Sequence, residues 1–182
     1  MVAEATIGVV AKVRLLDPVP DFSLPGIDGD IHALGDYADM PVAVVFSCCH
    51  CPYVIAWEDR LSEIAVDYAG RAALLAINAN DHIGDTLDDM RARANEKPYG
   101  YPFLRDETQE VARSYGASRT PEVFALDQEH RLIYHGAPDS SYQDPGGAVP
   151  HLRHALDATL EGRNPPVTAT APVGCTIKWR SG

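Results

Sequence analysis

Apolar runs alternate with amphipathic stretches along the middle of this 182-residue chain. Residues 42–46 form a short apolar run rich in valine, which is typical of a strand buried on both faces. After Pro52, apolar residues recur at a spacing of three to four, which predicts an amphipathic helix that ends at Gly70. A second apolar run covers 73–77. Strand, helix and strand in this order predict a βαβ unit with a parallel pair of strands.

The pattern divides the chain into an N-terminal arm, 1–18, a main domain, 19–163, and a C-terminal tail, 164–182. The arm is predicted to be a free segment or an edge strand. Short apolar pieces flank Asp28-Gly29 and predict a β-hairpin. The tail is rich in proline, threonine and alanine, which predicts an extended segment on the surface. The length is sufficient for one domain with its own hydrophobic core.

A helical insertion is predicted between the βαβ unit and the last strands. A polar loop, 78–85, precedes spaced apolar residues that predict a helix from Leu87. Asp106 is predicted to cap a third helix that ends at Gly116. The remaining predicted elements are strands at 122–126 and 131–134 and a helix through Leu152, Leu156 and Leu160, stopped by Gly162. The coarse order is therefore β-α-β, helical insertion, β-β-α, which indicates an α/β domain.

Charge and hydropathy exclude several classes of partner. The chain has 15 Lys and Arg against 26 Asp and Glu, a net charge of −11. An acidic surface repels phosphates, so no nucleic-acid partner is expected. No apolar stretch reaches the roughly 20 residues of a membrane span, and no basic start leads into a long apolar run. We therefore expect no membrane association, no signal peptide and a cytoplasmic, reducing location.

Three of the four cysteines, Cys48, Cys49 and Cys51, fall within four residues. In a reducing compartment such cysteines are catalytic or metal-binding more often than structural. The cluster follows a predicted buried strand and precedes a predicted helix, where open α/β sheets place their sites. Free N–H groups and the helix dipole stabilise a thiolate there, which predicts a lowered pKa and raised reactivity for Cys51. Cys48 and Cys51 form a C-x-x-C pair, a redox motif beside a βαβ unit.

Further candidates flank this motif. His50 is interpreted either as a source of positive potential or a proton donor, or as an exposed loop histidine. Cys49 is either a participant or a small buried hydrophobe. Thr120-Pro121 precedes a strand; a cis bond there would present backbone groups to a ligand, whereas a trans proline would simply open the strand. No nucleotide-binding glycine pattern accompanies the cysteines, so no dinucleotide cofactor is expected.

Together these features resemble the thioredoxin-like superfamily, in its redoxin branch of the AhpC/TSA type, from about residue 20 to residue 160. Phe-Ser-Leu-Pro-Gly-Ile-Asp-Gly at 22–29 resembles the redoxin N-terminal hairpin, and Thr120-Pro121 is similar to the family's cis-proline beside the active cysteine. His-Cys-Pro-Tyr-Val at 50–54 and Gly-Cys-Thr-Ile-Lys-Trp-Arg at 174–180 resemble a bacterial subgroup of poorly defined role. The resemblance implies a thioredoxin-like fold, a central mixed sheet flanked by helices with an N-terminal hairpin and a helical insertion.

The chain also departs from relatives on this fold. Val54 stands where glutaredoxins have their second cysteine, so Cys51 needs another partner. The candidates for that partner are Cys48, Cys49 and Cys175. Peroxiredoxins place a threonine three residues before the peroxidatic cysteine and a proline seven before, and Cys48 and Val44 hold those positions here. The groups that polarise a peroxide in those enzymes are therefore not evident.

Three functional hypotheses follow. In the favoured one, a thiol–disulfide oxidoreductase, the Cys51 thiolate attacks a protein or small-molecule disulfide and Cys48 resolves the mixed disulfide, with Cys49 or Cys175 as less favoured partners. A cellular thiol is the expected reductant. In the second, a thiol peroxidase, peroxide oxidises Cys51 to a sulfenic acid and Arg119 supplies the stabilising cation. In the third, the cluster binds copper(I) or zinc through soft ligands, as a metal module or redox sensor, with Cys48 and Cys51 as a two-coordinate site because four consecutive residues cannot all converge on one ion.

Overall fold

The computed structural model describes residues 12–181, and a five-stranded mixed sheet forms its centre. The strands in chain order are β1 (Ser23–Pro25), β2 (Ile31–Ala33), β3 (Val42–Ser47), β4 (Ala73–Asn78), β5 (Phe103–Arg105), β6 (Arg119–Thr120), β7 (Glu122–Leu126), β8 (Leu132–Gly136) and β9 (Cys175–Thr176). The central order is β5-β4-β3-β7-β8, with β3, β4 and β5 parallel and β7 antiparallel to both neighbours. The prediction of an α/β domain with a central mixed sheet is therefore confirmed.

Helices cover both faces of this sheet. They are α1 (Pro52–Asp67), α2 (Leu87–Glu96), α3 (Glu110–Tyr115) and α4 (His151–Leu160). Alternate residues of β3 point to opposite sides: Val45 packs in the cluster that contains α1, α2 and α4, and Val44 packs in the cluster that contains α3 and the β1–β2 hairpin. Every residue of β3 is buried, as its unbroken apolar run predicts.

The junction between β3 and α1 places the cysteine cluster at the carboxyl edge of the sheet. β3 ends at Ser47, and Cys51 is the N-cap residue of α1. Pro52 occupies the first turn, where its missing N–H leaves no helical hydrogen bond unmade. The predicted helix is confirmed, although it ends at Asp67, and Gly70 then turns the chain in a left-handed conformation.

The helical insertion differs in detail from the prediction. β5 adds a third parallel strand, which was not predicted because three residues are too few to show a periodic pattern. Asp106 does not cap the third helix, because Gln109 precedes α3 at its N-cap position. The Asp106 carboxylate instead accepts a hydrogen bond from the N–H of Ala112, inside α3, at 2.9 Å. Asp106 thus provides an acceptor for an N–H near the start of α3, although it lies in the loop before the helix and not at the N-cap.

The predicted N-terminal arm lies partly outside the described residues, which begin at 12. In the described part, the N–H of Leu16 donates to the carbonyl of Leu132 at 2.8 Å, and the N–H of Leu132 donates to the carbonyl of Asp17 at 3.1 Å. The end of the arm thus lies beside the outer edge of β8. Within residues 12–181, no helix is both long enough and apolar enough to cross a membrane.

The C-terminal segment follows the domain more closely than the predicted surface tail. Thr168 and Thr170 exchange backbone hydrogen bonds with His135 of β8. β9 then pairs antiparallel with β6, and the next residue, Ile177, is only 4% exposed. The expectation of a plain surface segment is corrected, because backbone pairing and one apolar anchor fix the chain end beside the cysteine cluster.

Candidate active site

Cys51 lies at the centre of a group of sulfur atoms. Its side chain is fully buried, and its Sγ lies 2.8 Å from the Sγ of Cys175 and 3.3 Å from the carbonyl oxygen of Thr120. Cys48 and Val54 complete the small apolar cluster around it. One cysteine thus comes from the β3–α1 junction and one from the chain end, 124 positions away.

The surroundings of Cys51 stabilise its thiolate. A hydrogen bond from the Cys48 thiol is the largest cause of a pKa well below the usual range for Cys51. Burial opposes the shift, whereas the Cys175 thiol and the N–H of Val54 in the first turn of α1 add to it. The direction of this shift agrees with the lowering expected from the position of Cys51. The helix N-terminus contributes as expected, but the neighbouring thiol contributes more.

Cys48 is placed as a hydrogen-bond donor. It is 1% exposed, and its Sγ lies 3.4 Å from Oγ1 of Thr120. Its pKa is raised above the ordinary value, first by the hydrogen bond to Cys51 and then by burial. The opposite directions of these pKa shifts favour the thiolate at Cys51 and the thiol at Cys48, so the two halves of the C-x-x-C pair have different chemical roles.

Cys175 reaches the site on β9. Its Cα is paired with that of Thr120 across the β6–β9 ladder. Burial and the neighbouring Cys51 raise the pKa of Cys175 to about 11. A β-carbon on the preceding Gly174 would overlap the carbonyl group of Thr120, so the close approach of the two strands requires glycine.

Cys49 lies apart from the other three sulfurs. It belongs to the large core cluster that also contains Trp57 and Met90, on one face of the sheet. Burial and the nearby charge of Asp85 raise the pKa of Cys49 to about 12. This placement fits the interpretation of Cys49 as a small buried hydrophobe.

His50 contacts a buried carboxylate, and one of its ring nitrogens lies within 4.8 Å of the Cys48 sulfur. Its Nδ1 lies 2.9 Å from Oδ2 of Asp85, and its ring stacks on that of His82 with centroids 4.3 Å apart. The other carboxylate oxygen of Asp85 accepts hydrogen bonds from the N–H of Cys49 at 2.9 Å and from Nδ2 of Asn78 at 2.8 Å. Asp85 therefore fixes the backbone of the cysteine loop as well as the histidine.

Sequence reasoning missed Asp85, although a signal was present. Asn78 ends β4 and Asp85 closes the polar loop that follows it. The carboxyl ends of adjacent parallel strands meet at one edge of a sheet, so polar residues after β4 lie beside the residues after β3. The predicted polar loop is in place, but its contact with the cysteine loop was not foreseen.

One group of described residues offers ligands for a metal. A sulfur of Cys48, a ring nitrogen of His50 and a carboxylate oxygen of Asp85 lie within 4.8 Å of one another. This set differs from the two-coordinate site of Cys48 and Cys51 expected from the sequence. The two hydrogen bonds to Asp85 are made to Oδ1, whereas its buried Oδ2 lies 2.9 Å from Nδ1 of His50 and has no hydrogen-bond partner among the described residues.

The segment before β7 closes the site from the opposite side. The Thr120–Pro121 bond is cis, as the family resemblance implied. Glu122, 1% exposed, accepts from the N–H groups of Ser118 and Arg119 at 2.7 and 2.8 Å. The Arg119 guanidinium is directed at the C-terminal segment, where it donates to the carbonyl of Gly174 at 3.0 Å.

A five-stranded mixed sheet with thiols at its carboxyl edge and a cis-proline against them defines the class of thioredoxin-like thiol redox proteins. The sequence agrees with that class. The model of the AhpC/TSA family matches residues 15–135, and the chain belongs to this family. Fold and family together make the protein a redox enzyme of the thiol-dependent kind. No match is found among curated proteins.

Solved structures of similar proteins share this fold. A hypothetical protein from Sinorhizobium meliloti 1021 is 37% identical, with a TM-score of 0.85 over 93% of this chain and 97% of the other. An uncharacterized conserved protein from Geobacillus kaustophilus is 36% identical, with a TM-score of 0.85 over 93% and 94%. The pneumococcal exposed lipoprotein thioredoxin from Streptococcus pneumoniae strain TIGR4 is 24% identical, with a TM-score of 0.60 over 68% and 93%, and it shares the fold.

Proposed function

We propose that this protein is a thiol–disulfide oxidoreductase in which Cys51 is the attacking thiol. The observation that carries the proposal is the convergence of thiols on one sulfur: Cys48 packs in the same small cluster as Cys51, and the Sγ of Cys175 lies 2.8 Å from that of Cys51. A thiolate with further thiols in contact is the arrangement that disulfide exchange needs, because attack and resolution both occur at the same sulfur.

The first step is nucleophilic attack. The Cys51 thiolate attacks one sulfur of a substrate disulfide, which forms a mixed disulfide and releases the other sulfur as a thiolate. A second thiol of the chain then attacks Sγ of Cys51, releases the reduced substrate and leaves an intramolecular disulfide. The C-x-x-C motif favours Cys48 for this second role, and Cys175 is also in contact with Cys51. A cellular thiol would then reduce the protein disulfide.

The other hypotheses have less support from the site. A peroxidase would benefit from a cation beside the attacking sulfur, but the Arg119 guanidinium donates to the carbonyl of Gly174 and its side chain is exposed. A metal module would use the set of Cys48, His50 and Asp85, in which Oδ2 of Asp85 has no hydrogen-bond partner in the described part of the chain, but this set leaves Cys51, the thiol with the lowered pKa, without a role. The proposed setting is the cytoplasm, where a thiol pool supplies reductant.

The test is reduction of a peptide disulfide by the reduced protein, followed by reversed-phase chromatography. Wild-type protein should reduce the peptide, and Cys51→Ser should not, because serine has no thiolate to attack. Cys49→Ala is the matched control, since it removes a thiol that lies in the core away from the reacting sulfurs. The proposal fails if Cys51→Ser retains the wild-type rate, or if wild-type Cys51 reacts with hydrogen peroxide but not with disulfides.

A further inference from the structure

We propose that Cys175 is the resolving thiol, and that residues 174–180, which we call the C-terminal strap, deliver it to Cys51. The inference rests on the proposed function and specifies its second step. It reassigns the other member of the C-x-x-C pair, Cys48, from resolving thiol to hydrogen-bond donor. The protein disulfide then joins Cys175 of the strap to Cys51 at the β3–α1 junction.

The sulfur positions favour Cys175 over Cys48. The Cys175 sulfur lies 2.8 Å from that of Cys51, and Cys175 is half-buried, at the edge of the site. Cys48 is enclosed at 1% exposure and its sulfur already contacts the Thr120 hydroxyl at 3.4 Å. A disulfide that is to be reduced again needs one sulfur that an external thiol can reach. Cys175 meets that need, and Cys48 does not.

Two buried polar side chains hold the strap in place. Oδ1 of Asn80 accepts from the N–H of Lys178 at 2.7 Å, and Nε2 of Gln109 donates to the carbonyl of Lys178 at 2.9 Å. Asn80 is 2% exposed and Gln109 is 1% exposed. The N–H of Ile177 also donates to the carbonyl of Ser118 at 3.0 Å. Polar groups this deeply buried need partners, so the domain provides a built docking site for the strap.

The other side of Cys175 is fixed by a steric requirement. Gly174 approaches the carbonyl of Thr120 so closely that a β-carbon would overlap it, and the Gly174 carbonyl accepts from Arg119 at 3.0 Å. Cys175 is therefore held from both sides, by the glycine contact before it and by the Lys178 hydrogen bonds after it. This placement directs its sulfur at Cys51.

The strap must also move during the reaction. Cys51 is fully buried and the Cys175 sulfur lies in contact with it, so a substrate sulfur reaches Cys51 only when Cys175 withdraws. Most strap side chains are exposed, and Ile177 is the one buried among them. Withdrawal thus exposes little apolar surface, and its main cost is the exchange of the hydrogen bonds to Asn80 and Gln109 for bonds to water.

The reaction balances with these two thiols. The Cys51 thiolate breaks the substrate disulfide, forms a mixed disulfide and releases one substrate thiolate. Cys175 then attacks Sγ of Cys51, forms the Cys51–Cys175 bond and releases the second substrate sulfur, which takes up the proton that Cys175 gives up. The substrate disulfide gains two electrons; one substrate thiol carries the proton from Cys175, the other takes its proton from solvent, and the two cysteines are oxidised. A cellular dithiol or monothiol returns them to the reduced state.

The experiment maps disulfides after reaction with oxidised glutathione. Reduced wild-type protein is treated with oxidised glutathione, free thiols are alkylated, and peptides are identified by mass spectrometry. A Cys51–Cys175 bridge is expected, with Cys48 and Cys49 alkylated. A Cys48–Cys51 bridge with Cys175 alkylated would overturn the assignment while leaving the proposed function intact. No reaction of Cys51 with glutathione at all would overturn the proposed function itself.

Two variants test separately the Cys175 thiol and the position of the C-terminal strap that carries it. Cys175→Ser should accumulate Cys51 as a mixed disulfide with glutathione, because attack occurs and resolution does not. Gly174→Ala retains all four thiols but displaces the strap, so it should accumulate the same mixed disulfide. Gly35→Ala is the control, since a β-carbon there meets nothing within 4 Å. Normal formation of an intramolecular disulfide in Cys175→Ser would show that Cys48 resolves, and the inference would be wrong.

Discussion

At the scale of single residues, the chemistry of the site depends on which of three neighbouring thiols, Cys48, Cys51 and Cys175, loses its proton most readily. Cys48 donates to Cys51, which lowers the pKa of Cys51 and raises that of Cys48. Burial raises the pKa of both, so burial alone would make Cys51 a poor nucleophile. The hydrogen bond from Cys48 outweighs burial at Cys51, so the pKa of Cys51 is lowered while that of Cys48 stays raised. The close packing of thiols thus selects Cys51 as the reactive residue.

Removal of that donor should raise the pKa of Cys51. In Cys48→Ala, burial is no longer offset by the largest favourable contact, so the pKa moves up toward its ordinary value of 9.0. The thiolate, present in wild type well below that pH, should then be lost as the pH falls through the raised pKa. Ultraviolet thiolate absorbance of the reduced protein measures this directly, because Cys51 is the thiol that ionises at the lowest pH.

Cys49→Ala serves as the control for this titration. Cys49 is buried in the core cluster of α1 and has its own raised pKa, so its loss should leave the first thiolate step unchanged. An unchanged first step in Cys48→Ala as well would mean that the helix N-terminus, through the N–H of Val54, suffices to ionise Cys51.

At the scale of elements, the short strand β6 connects the sheet to the C-terminal strap. β6 has two residues, too few to hold a position by pairing alone. Glu122, at the start of β7, binds the N–H groups of Ser118 and Arg119, and its other oxygen lies 2.6 Å from Nε2 of His135. A buried carboxylate therefore links β6 to the central strands β7 and β8.

Substitution of this carboxylate should loosen β6 and the strap together. Glu122→Gln replaces an acceptor for three N–H donors by a group that itself donates, so about 1–3 kcal/mol of unfolding free energy should be lost. Hydrogen exchange at Ser118, Arg119 and Ile177 should also accelerate, because these amides belong to the linked segment. Urea denaturation and amide exchange measure the two effects.

Glu129→Gln is the matched control for this element. Glu129 also pairs with a cation, Arg131, but its side chain is 67% exposed, and exposed pairs contribute little to stability. The free energy of unfolding and the rate of amide hydrogen exchange should both stay at wild-type values in this variant. If Glu122→Gln behaved in the same way, the carboxylate would have no part in holding β6.

At the scale of the whole molecule, the strap brings two distant parts of the chain into contact. It brings Cys175 to Cys51 across 124 positions, after the chain has completed the central sheet and all four helices. A covalent bond at this point would restrict the unfolded chain more strongly than a bond within the C-x-x-C pair, because the entropy of loop closure grows with loop length. The stability of the protein should therefore depend on its redox state.

Oxidised protein should be more stable than reduced protein by about 2–4 kcal/mol, the usual contribution of a disulfide that closes a long loop. Urea unfolding of the two forms, with the midpoint and slope compared, measures the difference. In Cys175→Ser the two forms should unfold alike. Equal stability of the two wild-type forms would contradict a bond between the strap and α1, and would favour the short loop of the C-x-x-C pair.

The sequence by itself determined the elements whose periodicity is local. The apolar run at 42–46, the spaced apolar residues after Pro52 and the second run at 73–77 predict the βαβ unit, and the unit places the cysteines at a strand–helix junction. Burial of a strand on both faces, or of a helix on one face, imposes such patterns on neighbouring residues. For the same reason β5, with three residues, and the late start of α3 escaped prediction.

Only the tertiary structure decided which distant groups meet. His50 contacts Asp85, Glu122 holds the segment before Pro121, and Cys175 reaches Cys51 from the chain end. These contacts depend on the order of strands in the sheet and on the pairing of β9 with β6, which no local periodicity encodes. Sequence reasoning therefore identified Cys51 from its position, and the fold supplied the neighbours that give this cysteine its charge and its proposed partner.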